Sequence, residues 1–333
     1  MMQHCEHIPM VSVAMIAYNK ERLIARAIYG VVWPRAPFAI ELIIVDDAST
    51  DATLGVARMW QERYPEIIKV FANKTNLGLQ ANYIEAFSHC TGKYLAICDA
   101  DDYWCSPSKL RRQVQYMEKN PGCAITFHRV INHYTADSTK SLSNGGQSVD
   151  TTIADLARSN YITNLSVVYR RSLVDLRNLP EWLADDRSPD YAMHMLYAAG
   201  GTIHYFRRPM GVYHIAGEGA WSMTERYRRL EMSLSVRHRL MVHFAHMPEV
   251  VAGLRGAAES ILLAMVAASG NDTVRRDSAI ALLMADNPSA TPEDIIRAAT
   301  SKASAPPLLC RLLTAIRRAV SRLMPISAAR LIP

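Results

Sequence analysis

Three carboxylates fall within four positions at the end of one apolar run. The run is Tyr94–Cys98, and Asp99, Asp101 and Asp102 follow it directly. Carboxylates this close repel one another, so such a cluster normally requires a cation or hydrogen-bond donors. We expect a divalent ion, Mn²⁺ or Mg²⁺, that bridges these acids to phosphate groups, because a carboxylate cannot hold a phosphate directly. A solvated acidic loop is the alternative.

The elements that would position these acids alternate between strands and helices. Continuous apolar runs predict buried strands at Val11–Ala17, Glu41–Val45, Ile67–Phe71 and Tyr94–Cys98. The helices predicted between them cover residues 20–32, with Asn19 as the cap, 52–64 and 78–90. This alternation predicts an α/β fold with a doubly wound, mainly parallel sheet. Ligands of such sheets bind beyond the carboxyl ends of the strands, where Tyr18, Asp47 and Asp99 all fall.

The second half of the chain changes character. Further strands are predicted at Cys123–Arg129 and Leu165–Tyr169, and the polar residues 135–148 between them predict a mobile loop. From residue 225 the pattern is helical, and Thr291 begins a good cap and first turn. We place a domain boundary near residue 223.

Four motifs, taken in order and spacing, resemble the signature of family 2 glycosyltransferases, which are inverting enzymes with the GT-A fold. The motifs are Ala17-Tyr18-Asn19, Val45–Asp51, Asn76-Leu77-Gly78 and Asp99–Asp102. The resemblance covers roughly residues 10–223. It implies a GT-A catalytic domain over residues 1–223, with a Rossmann-like nucleotide-sugar site, and a helical C-terminal region over 224–333.

The resemblance also implies how a nucleotide would be held. Asp47 would accept a hydrogen bond from a uracil base, Tyr18 would stack on that base, and Asp99 would lie near the ribose. The other residues implied to bind the nucleotide are Ala17, Glu21, Asn76 and Ala100. From the residues alone, Asp47 and its neighbours could equally be helix caps.

The second acid of the Asp99/Asp101 pair is the one that the resemblance assigns to the metal. Asp101 would bind the ion, and Asp102 would support it. His214 lies in the segment Tyr213–Ser222, which resembles the family's late histidine loop, and it could be a further metal ligand or a phosphate donor. A structural histidine is the alternative for His214.

Asp190 is the residue that the resemblance implies as general base. It lies in Ser188–His194, which is similar to the family's acidic motif at the start of a helix under the acceptor site. This sequence has Pro189 where the family often has an acid, and Asp185 and Asp186 are close enough to compete. A helix cap is the alternative role for Asp190.

Charge is unevenly distributed along the chain, which carries a net +6 over 333 residues. Residues 302–333 hold six basic and no acidic side chains, and residues 306–324 form a predicted basic amphipathic helix. Such a helix could lie on an anionic membrane surface or dock on the protein core. Nucleic-acid binding is not expected, because no aromatic residues separate the arginines.

Cysteine spacing and hydropathy indicate the compartment. The six cysteines form no CxxC pair and are too sparse for a disulfide scaffold, so we expect reduced thiols in the cytoplasm. No window offers about 18 uncharged apolar residues, and the N-terminus lacks the features of a signal peptide, so neither a membrane span nor secretion is expected.

The activity expected from these motifs is transfer of a sugar from a nucleotide donor, most often UDP-linked, to a hydroxyl of a glycan or lipid-linked glycan. Bacterial surface polysaccharide or lipopolysaccharide synthesis is the setting that the family implies. A nucleotidylyltransferase is an alternative, but it would need a Gly-rich phosphate loop, and residues 17–21 contain no glycine. A non-catalytic sugar-nucleotide-binding protein would be expected to lack the acid pair or the base.

Overall fold

The structure is a computed structural model, and it describes residues 10–34, 36–183, 189–215, 225–286 and 290–304. Within these ranges one sheet contains ten strands: β1 Val11–Ala17, β2 Ile40–Asp46, β3 Ile68–Ala72, β4 Tyr94–Ile97, β5 Tyr103–Trp104, β6 Cys123–Tyr134, β7 Lys140–Leu142, β8 Asp150–Thr151, β9 Val168–Arg170 and β10 Thr202–Ile215. The strand order is β3-β2-β1-β4-β9-β6-β10-β5, with β7 beside β6 and β8 beside β10.

Ten α-helices accompany the sheet in the described ranges: α1 Ile24–Val32, α2 Thr53–Arg63, α3 Leu79–Ser88, α4 Lys109–Lys119, α5 Ile153–Arg158, α6 Pro189–Ala198, α7 Arg226–His243, α8 Pro248–Ala268, α9 Thr273–Asp286 and α10 Pro292–Ser304. Short 3-10 helices form at Asn164–Ser166, Arg171–Leu173 and Glu181–Leu183.

The first four strands of the order, β3-β2-β1-β4, are all parallel. Every residue of β1 and of β4 is buried, which explains why both strands are continuous apolar runs with little alternation. Beyond β4 the sheet becomes mixed, since β9 runs antiparallel to both β4 and β6, whereas β10 runs parallel to β6. The predicted α/β fold with alternating strands and helices is confirmed.

Apolar clusters cover the sheet on both faces. One cluster joins the sheet to side chains of α3, α5, α6 and α7, and the other joins it to α1, α2 and α4. This arrangement fixes the ends of the central strands, because helices pack on both faces of the sheet there. The loops at those ends therefore start from rigid positions.

The chain forms two compact units, Met1–Ala257 and Ala258–Pro333. Helix α7 belongs to the first unit, where Val236 and Leu240 join the core cluster of α3, α5 and α6. The first compact unit therefore extends beyond residue 223, where the sequence places the end of the catalytic domain. In the second unit α9 packs against α10, and the Thr291 hydroxyl accepts a hydrogen bond from the Asp294 amide at 3.2 Å, as a cap does.

Three local predictions are wrong. Asn19 does not cap a helix, because α1 begins at Ile24 and Asn19 has a left-handed backbone with φ 51°. The residues Asn164–Ser166 form a 3-10 turn, so the strand predicted at 165–169 begins only at Val168. The polar stretch 135–148 is not wholly a loop, since it contains β7, which pairs with β6.

One described helix, α8, is long and apolar enough to cross a membrane by length and composition alone. Its hydropathy reaches 1.7 over a window of which 33% is buried. The core helices of globular proteins pass the same test, and α8 includes the charged residues Glu249, Arg255 and Glu259. Val250 and Leu254 of this helix are part of the core.

Helix α1 packs against the backbone of β5, and Gly30 permits this contact. A Cβ atom at Gly30 would lie 2.8 Å from the Trp104 carbonyl oxygen and 3.0 Å from its amide nitrogen. We expect Gly30→Ala to lower the free energy of unfolding by about 1–3 kcal/mol, because backbone must move to admit the methyl group. Chemical denaturation monitored by circular dichroism measures this change.

Gly55 on α2 is the matched control. A Cβ there meets nothing within 4 Å, so Gly55→Ala should leave stability unchanged or raise it by about 0.5–1 kcal/mol. Equal stability losses in the two variants would contradict the close contact at Gly30.

Candidate active site

The segments that follow β1, β2 and β4 lie at one edge of the sheet. Parallel pairing sets Ala17 beside Asp46 and Ala14 beside Ile97. The residues after these strands, including Tyr18, Asp47 and Asp99, therefore gather at the carboxyl edge, as the sequence predicts.

Hydrogen bonds join the loop after β1 to the loop after β2. The Asn19 amide donates to the Ser49 hydroxyl at 3.0 Å, and the Asn19 side-chain oxygen accepts from the Thr50 amide at 2.8 Å. The Glu21 carboxylate accepts from the Ala52 amide at 3.0 Å. Glu21 thus holds the two loops together, and its predicted contact with the nucleotide stays a prediction.

Asp47 organises the turn that leads into α3. Its carboxylate is buried and accepts hydrogen bonds from the Asn73 side chain at 2.8 Å, the Leu77 amide at 2.8 Å and the Gly78 amide at 2.9 Å. Gly78 has φ 85°, a conformation that favours glycine. The Asn76 side chain accepts from the same Gly78 amide at 3.1 Å. Asp47 is therefore not a cap of α2; it shapes the Asn76-Leu77-Gly78 turn.

Three further residues predicted to lie around a nucleotide, Ala17, Tyr18 and Ala100, differ in exposure. The Tyr18 side chain is 44% exposed, so a face of its ring is available for stacking. Ala17 and Ala100 are buried, and the Ala100 amide donates to the Ile16 carbonyl at 3.2 Å. Their small side chains let the loops after β1 and β4 run close together.

Asp99 is held by the side chains of Tyr83 and Asn164. The Tyr83 hydroxyl donates to one carboxylate oxygen at 2.5 Å, and the Asn164 side-chain amide donates to the other at 3.2 Å. Burial and then repulsion by Asp101 raise the pKa of Asp99 to about 7, with a further contribution from Asp190, while the two hydrogen bonds oppose the rise. Sequence reasoning missed Tyr83, which reaches Asp99 from α3 and lies in none of the motifs.

Asp101 forms an ion pair with Lys20. The Lys20 ammonium nitrogen lies 3.2 Å from a carboxylate oxygen of Asp101, and the two side chains are 22% and 29% exposed. The predicted metal ligand is thus paired with a basic residue from the loop after β1. Lys20 directly follows the motif Ala17-Tyr18-Asn19, but no sequence pattern connects it with Asp101.

Asp102 fastens the end of β10 to the acidic loop. It is 2% exposed, and its carboxylate accepts a hydrogen bond from the His214 amide at 2.9 Å. Burial, then the charges of Asp101 and Asp99, raise the pKa of Asp102 well above its usual range. The pairing of β5 with β10, Val212 beside Tyr103, brings the two segments together. The supporting role predicted for Asp102 at a metal site stays a prediction.

His214 presents one ring nitrogen without a partner. Its Nδ1 is buried and has no hydrogen-bond partner, and its ring lies 5.7 Å from the ring of His133 on β6. Burial, then the charges of Arg26 and His133, lower the pKa of His214. A neutral imidazole has a lone pair available to a metal ion. The loop residues 216–224 that follow His214 in the predicted motif lie outside the described residues.

Arg26 is a second basic residue at this site that sequence reasoning missed. Its guanidinium carbon lies 4.1 Å from the centre of the Tyr103 ring, and its Nε and Nη2 are buried without hydrogen-bond partners. Its charge acts on both Asp102 and His214. The guanidinium, which comes from α1, therefore partly offsets the negative charge of the acidic loop.

Asp190 lies in the first turn of α6, near enough to the acidic cluster for its charge to act there. It is the second residue of that helix, which begins at Pro189, so it does not occupy the capping position. Its negative charge contributes to the raised pKa of Asp99 and to that of Tyr213. The competing acids Asp185 and Asp186 lie outside the described residues.

The donor atoms fit a divalent ion only in part. Among the described residues, no three His, Cys, Asp or Glu side chains come together in a group that could hold a metal by themselves. Asp101 supplies a carboxylate, and His214 supplies a ring nitrogen without a hydrogen-bond partner. The charge of Asp101 acts on the pKa of His214. Two protein donors suit Mn²⁺ or Mg²⁺ when phosphate oxygens of a ligand complete the coordination.

Residues 12–177 match the family model described as "Glycosyl transferase family 2". The chain belongs to this glycosyltransferase family. The match runs from β1 to beyond β9, so it includes the segments after β1, β2 and β4 and the turn before α3.

The relatives of this chain include an uncharacterized mycobacterial protein and proteins that are named as glycosyltransferases. An uncharacterized protein of Mycobacterium tuberculosis is 35% identical over 221 residues, which are 66% of this chain and 62% of that protein. The match therefore spans less than two thirds of the mycobacterial relative. The Bacillus subtilis protein EpsE, named as a glycosyltransferase, is 42% identical over 112 residues, or 34% of this chain and 40% of EpsE.

Solved structures share the fold at low sequence identity. Residues 1–349 of S. aureus TarS superpose with a TM-score of 0.57 at 16% identity, covering 75% of this chain and 72% of that one. The mannosyltransferase PcManGT of Pyrobaculum calidifontis gives a TM-score of 0.57 at 18% identity, covering 90% and 81%. These neighbours support the GT-A fold for this chain.

The hydrogen bonds of Asp47 lead to a prediction for the turn before α3. We expect Asp47→Ala to lower the free energy of unfolding by roughly 2–4 kcal/mol, because it leaves partly buried N–H donors without their charged acceptor. Hydrogen exchange should quicken at the amides of Leu77 and Gly78, which NMR resolves individually.

Asn76→Ala is the control for this prediction. It removes one exposed acceptor from the same turn and should cost less than about 1 kcal/mol. Unchanged exchange at Leu77 and Gly78 in Asp47→Ala would show that Asp47 does not hold the turn.

Proposed function

We propose that this protein is a metal-dependent, inverting glycosyltransferase that takes a sugar from a nucleoside-diphosphate donor to a hydroxyl of a glycan or lipid-linked glycan. The observation that carries the proposal is that Asp190, in the first turn of α6, is near enough to the acidic loop for its charge to contribute to the raised pKa of Asp99. One site then contains acids for a metal-bound diphosphate and a separate acid for the acceptor. The activity of the whole protein is part of the proposal.

The base of the nucleotide would lie between Tyr18 and the turn held by Asp47. A carboxylate has about four acceptor positions, and Asp47 uses three of them on Asn73, Leu77 and Gly78. The remaining position is free to accept from the imide N–H of uracil, which favours a UDP-linked donor. Guanine also carries N–H donors on this edge, so a GDP-linked donor is the second candidate. TarS has been solved with UDP-GlcNAc and PcManGT with GDP-Man and Mn²⁺.

Asp101 and His214 would hold Mn²⁺ or Mg²⁺ beside the diphosphate. When bound, the ion supplies positive charge that stabilises the departing diphosphate. Asp99 would face the ribose, and its oxygens are already oriented by Tyr83 and Asn164. Side chains fixed in this way need little rearrangement when the ligand binds.

Asp190 would act as the general base. Inversion requires the acceptor oxygen to attack from the side opposite the leaving group, so the base must lie across the sugar from the diphosphate. Asp190 comes from α6, whereas Asp101 comes from the loop after β4. Its carboxylate would take the proton from the acceptor hydroxyl as the new bond forms.

The cellular setting is a further part of the proposal. A Bacillus subtilis relative, TuaG, is named for teichuronic acid biosynthesis and is 34% identical over 119 residues. We propose a role in surface polysaccharide synthesis and a cytoplasmic location, supported by four described cysteines that are all free thiols. Attachment to an anionic membrane through residues 306–324 is also a proposal, and that segment lies outside the described residues.

The test of this function incubates the protein with Mn²⁺, a panel of UDP- and GDP-sugars and lipid-linked glycan acceptors. Release of nucleoside diphosphate identifies the donor, and NMR of the product gives the anomeric configuration. We expect release with a UDP-sugar, dependence on the divalent ion and inverted product. Failure to release nucleotide from any donor, or a retained configuration, would contradict the proposal.

Asp190 gives a mutational prediction for the same assay. We expect Asp190→Asn to lower kcat by about 10²–10⁴-fold, because a positioned base contributes that much, while nucleoside-diphosphate affinity changes less than about twofold. Steady-state kinetics and calorimetry separate the two quantities. Full activity in Asp190→Asn, with loss in Asp185→Asn or Asp186→Asn, would move the base to one of those residues.

A further inference from the structure

We propose that Lys20 is a built-in counter-ion, which holds Asp101 while the metal is absent and moves to the diphosphate when donor and metal bind. The inference rests on the metal-diphosphate site proposed above. It starts from the ion pair of 3.2 Å between the Lys20 ammonium and the Asp101 carboxylate. Asp101 cannot offer the same oxygen fully to a metal while that ammonium is in place.

The backbone of Lys20 is fixed, so that only its side chain can move. The Lys20 amide donates to the Thr53 hydroxyl at 2.7 Å. The Lys20 carbonyl accepts from the amides of Leu23 and Ile24, both at 2.9 Å. The ammonium is thus tethered by a flexible four-carbon stem to a rigid point at the edge of the site.

Repulsion among the acids explains why the counter-ion is needed. Asp99 accepts hydrogen bonds from Tyr83 and Asn164, and Asp102 accepts one from the His214 amide. Asp101 instead forms an ion pair with Lys20. A divalent ion carries more charge than an ammonium and would take over the carboxylate. The displaced ammonium would then lie beside an incoming diphosphate, which lysine binds as a point charge.

Arg26 is poorly placed for the same exchange. Its guanidinium lies over the Tyr103 ring, and two of its three nitrogens are buried. The Lys20 side chain is 22% exposed, and the proposed metal ion would bind its partner Asp101. The exchange makes binding of metal and of diphosphate mutually favourable, because each removes the cost of separating Lys20 from Asp101.

The experiment titrates Mn²⁺ into the full chain and follows free Mn²⁺ by electron paramagnetic resonance, with and without UDP or GDP. The variants are Lys20→Met, which removes the ammonium but keeps the length of the side chain, and Arg22→Met as the control. Arg22 is an exposed residue in the same turn, and its loss changes the net charge equally. Calorimetry measures nucleotide affinity at saturating Mn²⁺.

We expect Lys20→Met to bind Mn²⁺ alone about fivefold more tightly than the wild type, a size typical of a partly exposed ion pair. At saturating Mn²⁺ the same variant should bind the nucleoside diphosphate about tenfold more weakly. Arg22→Met should change each affinity by less than about twofold. The opposite signs distinguish the proposal from mere damage to the loop, which would weaken both.

Two results would overturn the inference, and they can be told apart. If the wild type binds Mn²⁺ with nucleotide but Lys20→Met matches Arg22→Met in both titrations, the counter-ion exchange is wrong and the proposed function stands. If the wild type binds no Mn²⁺ with or without either nucleotide, the metal site of the proposed function fails and the inference fails with it.

Discussion

Electrostatic repulsion at the end of β4 is the constraint on which the rest of the site depends. Asp99, Asp101 and Asp102 lie within four positions, and the structure neutralises each of them differently. Asp99 accepts hydrogen bonds from Tyr83 and Asn164, and Asp101 forms an ion pair with Lys20. Asp102 accepts a hydrogen bond from a backbone amide of β10. These partners come from α3, the loop after β1, a 3-10 turn and β10. The three acids therefore bind residues from distant parts of the chain at one edge of the sheet.

The two halves of the sheet contribute different residues to this edge. The parallel half supplies the loops that hold Tyr18 and Asp47, and these loops are tied together by hydrogen bonds before any ligand arrives. The mixed half supplies His214 at the end of β10, and α6 supplies Asp190. The proposed donor and acceptor sites would therefore meet at this edge, each built on its own rigid elements.

Sequence reasoning found those parts of the fold and site that depend on local pattern. Apolar runs marked β1, β2 and β4, and parallel pairing then placed Tyr18, Asp47 and Asp99 at one edge. It could not find contacts between segments that are distant in sequence. Lys20 and Asp101 are 81 positions apart, and no local sequence pattern indicates that they form an ion pair. The cap predicted at Asn19 failed for a physical reason, because its side chain accepts a bond from Thr50 instead of from a helix amide.

The central claim is that Asp101 holds a divalent ion on a donor diphosphate while Asp47 fixes the base. Diffraction from crystals grown with Mn²⁺ and the nucleoside diphosphate of the active donor, recorded for manganese anomalous scattering, tests this claim directly. The account predicts one manganese peak within coordination distance of both Asp101 and the diphosphate, with the base beside Tyr18 and hydrogen-bonded to Asp47. A peak away from Asp101, or a nucleotide bound elsewhere on the sheet, would contradict it.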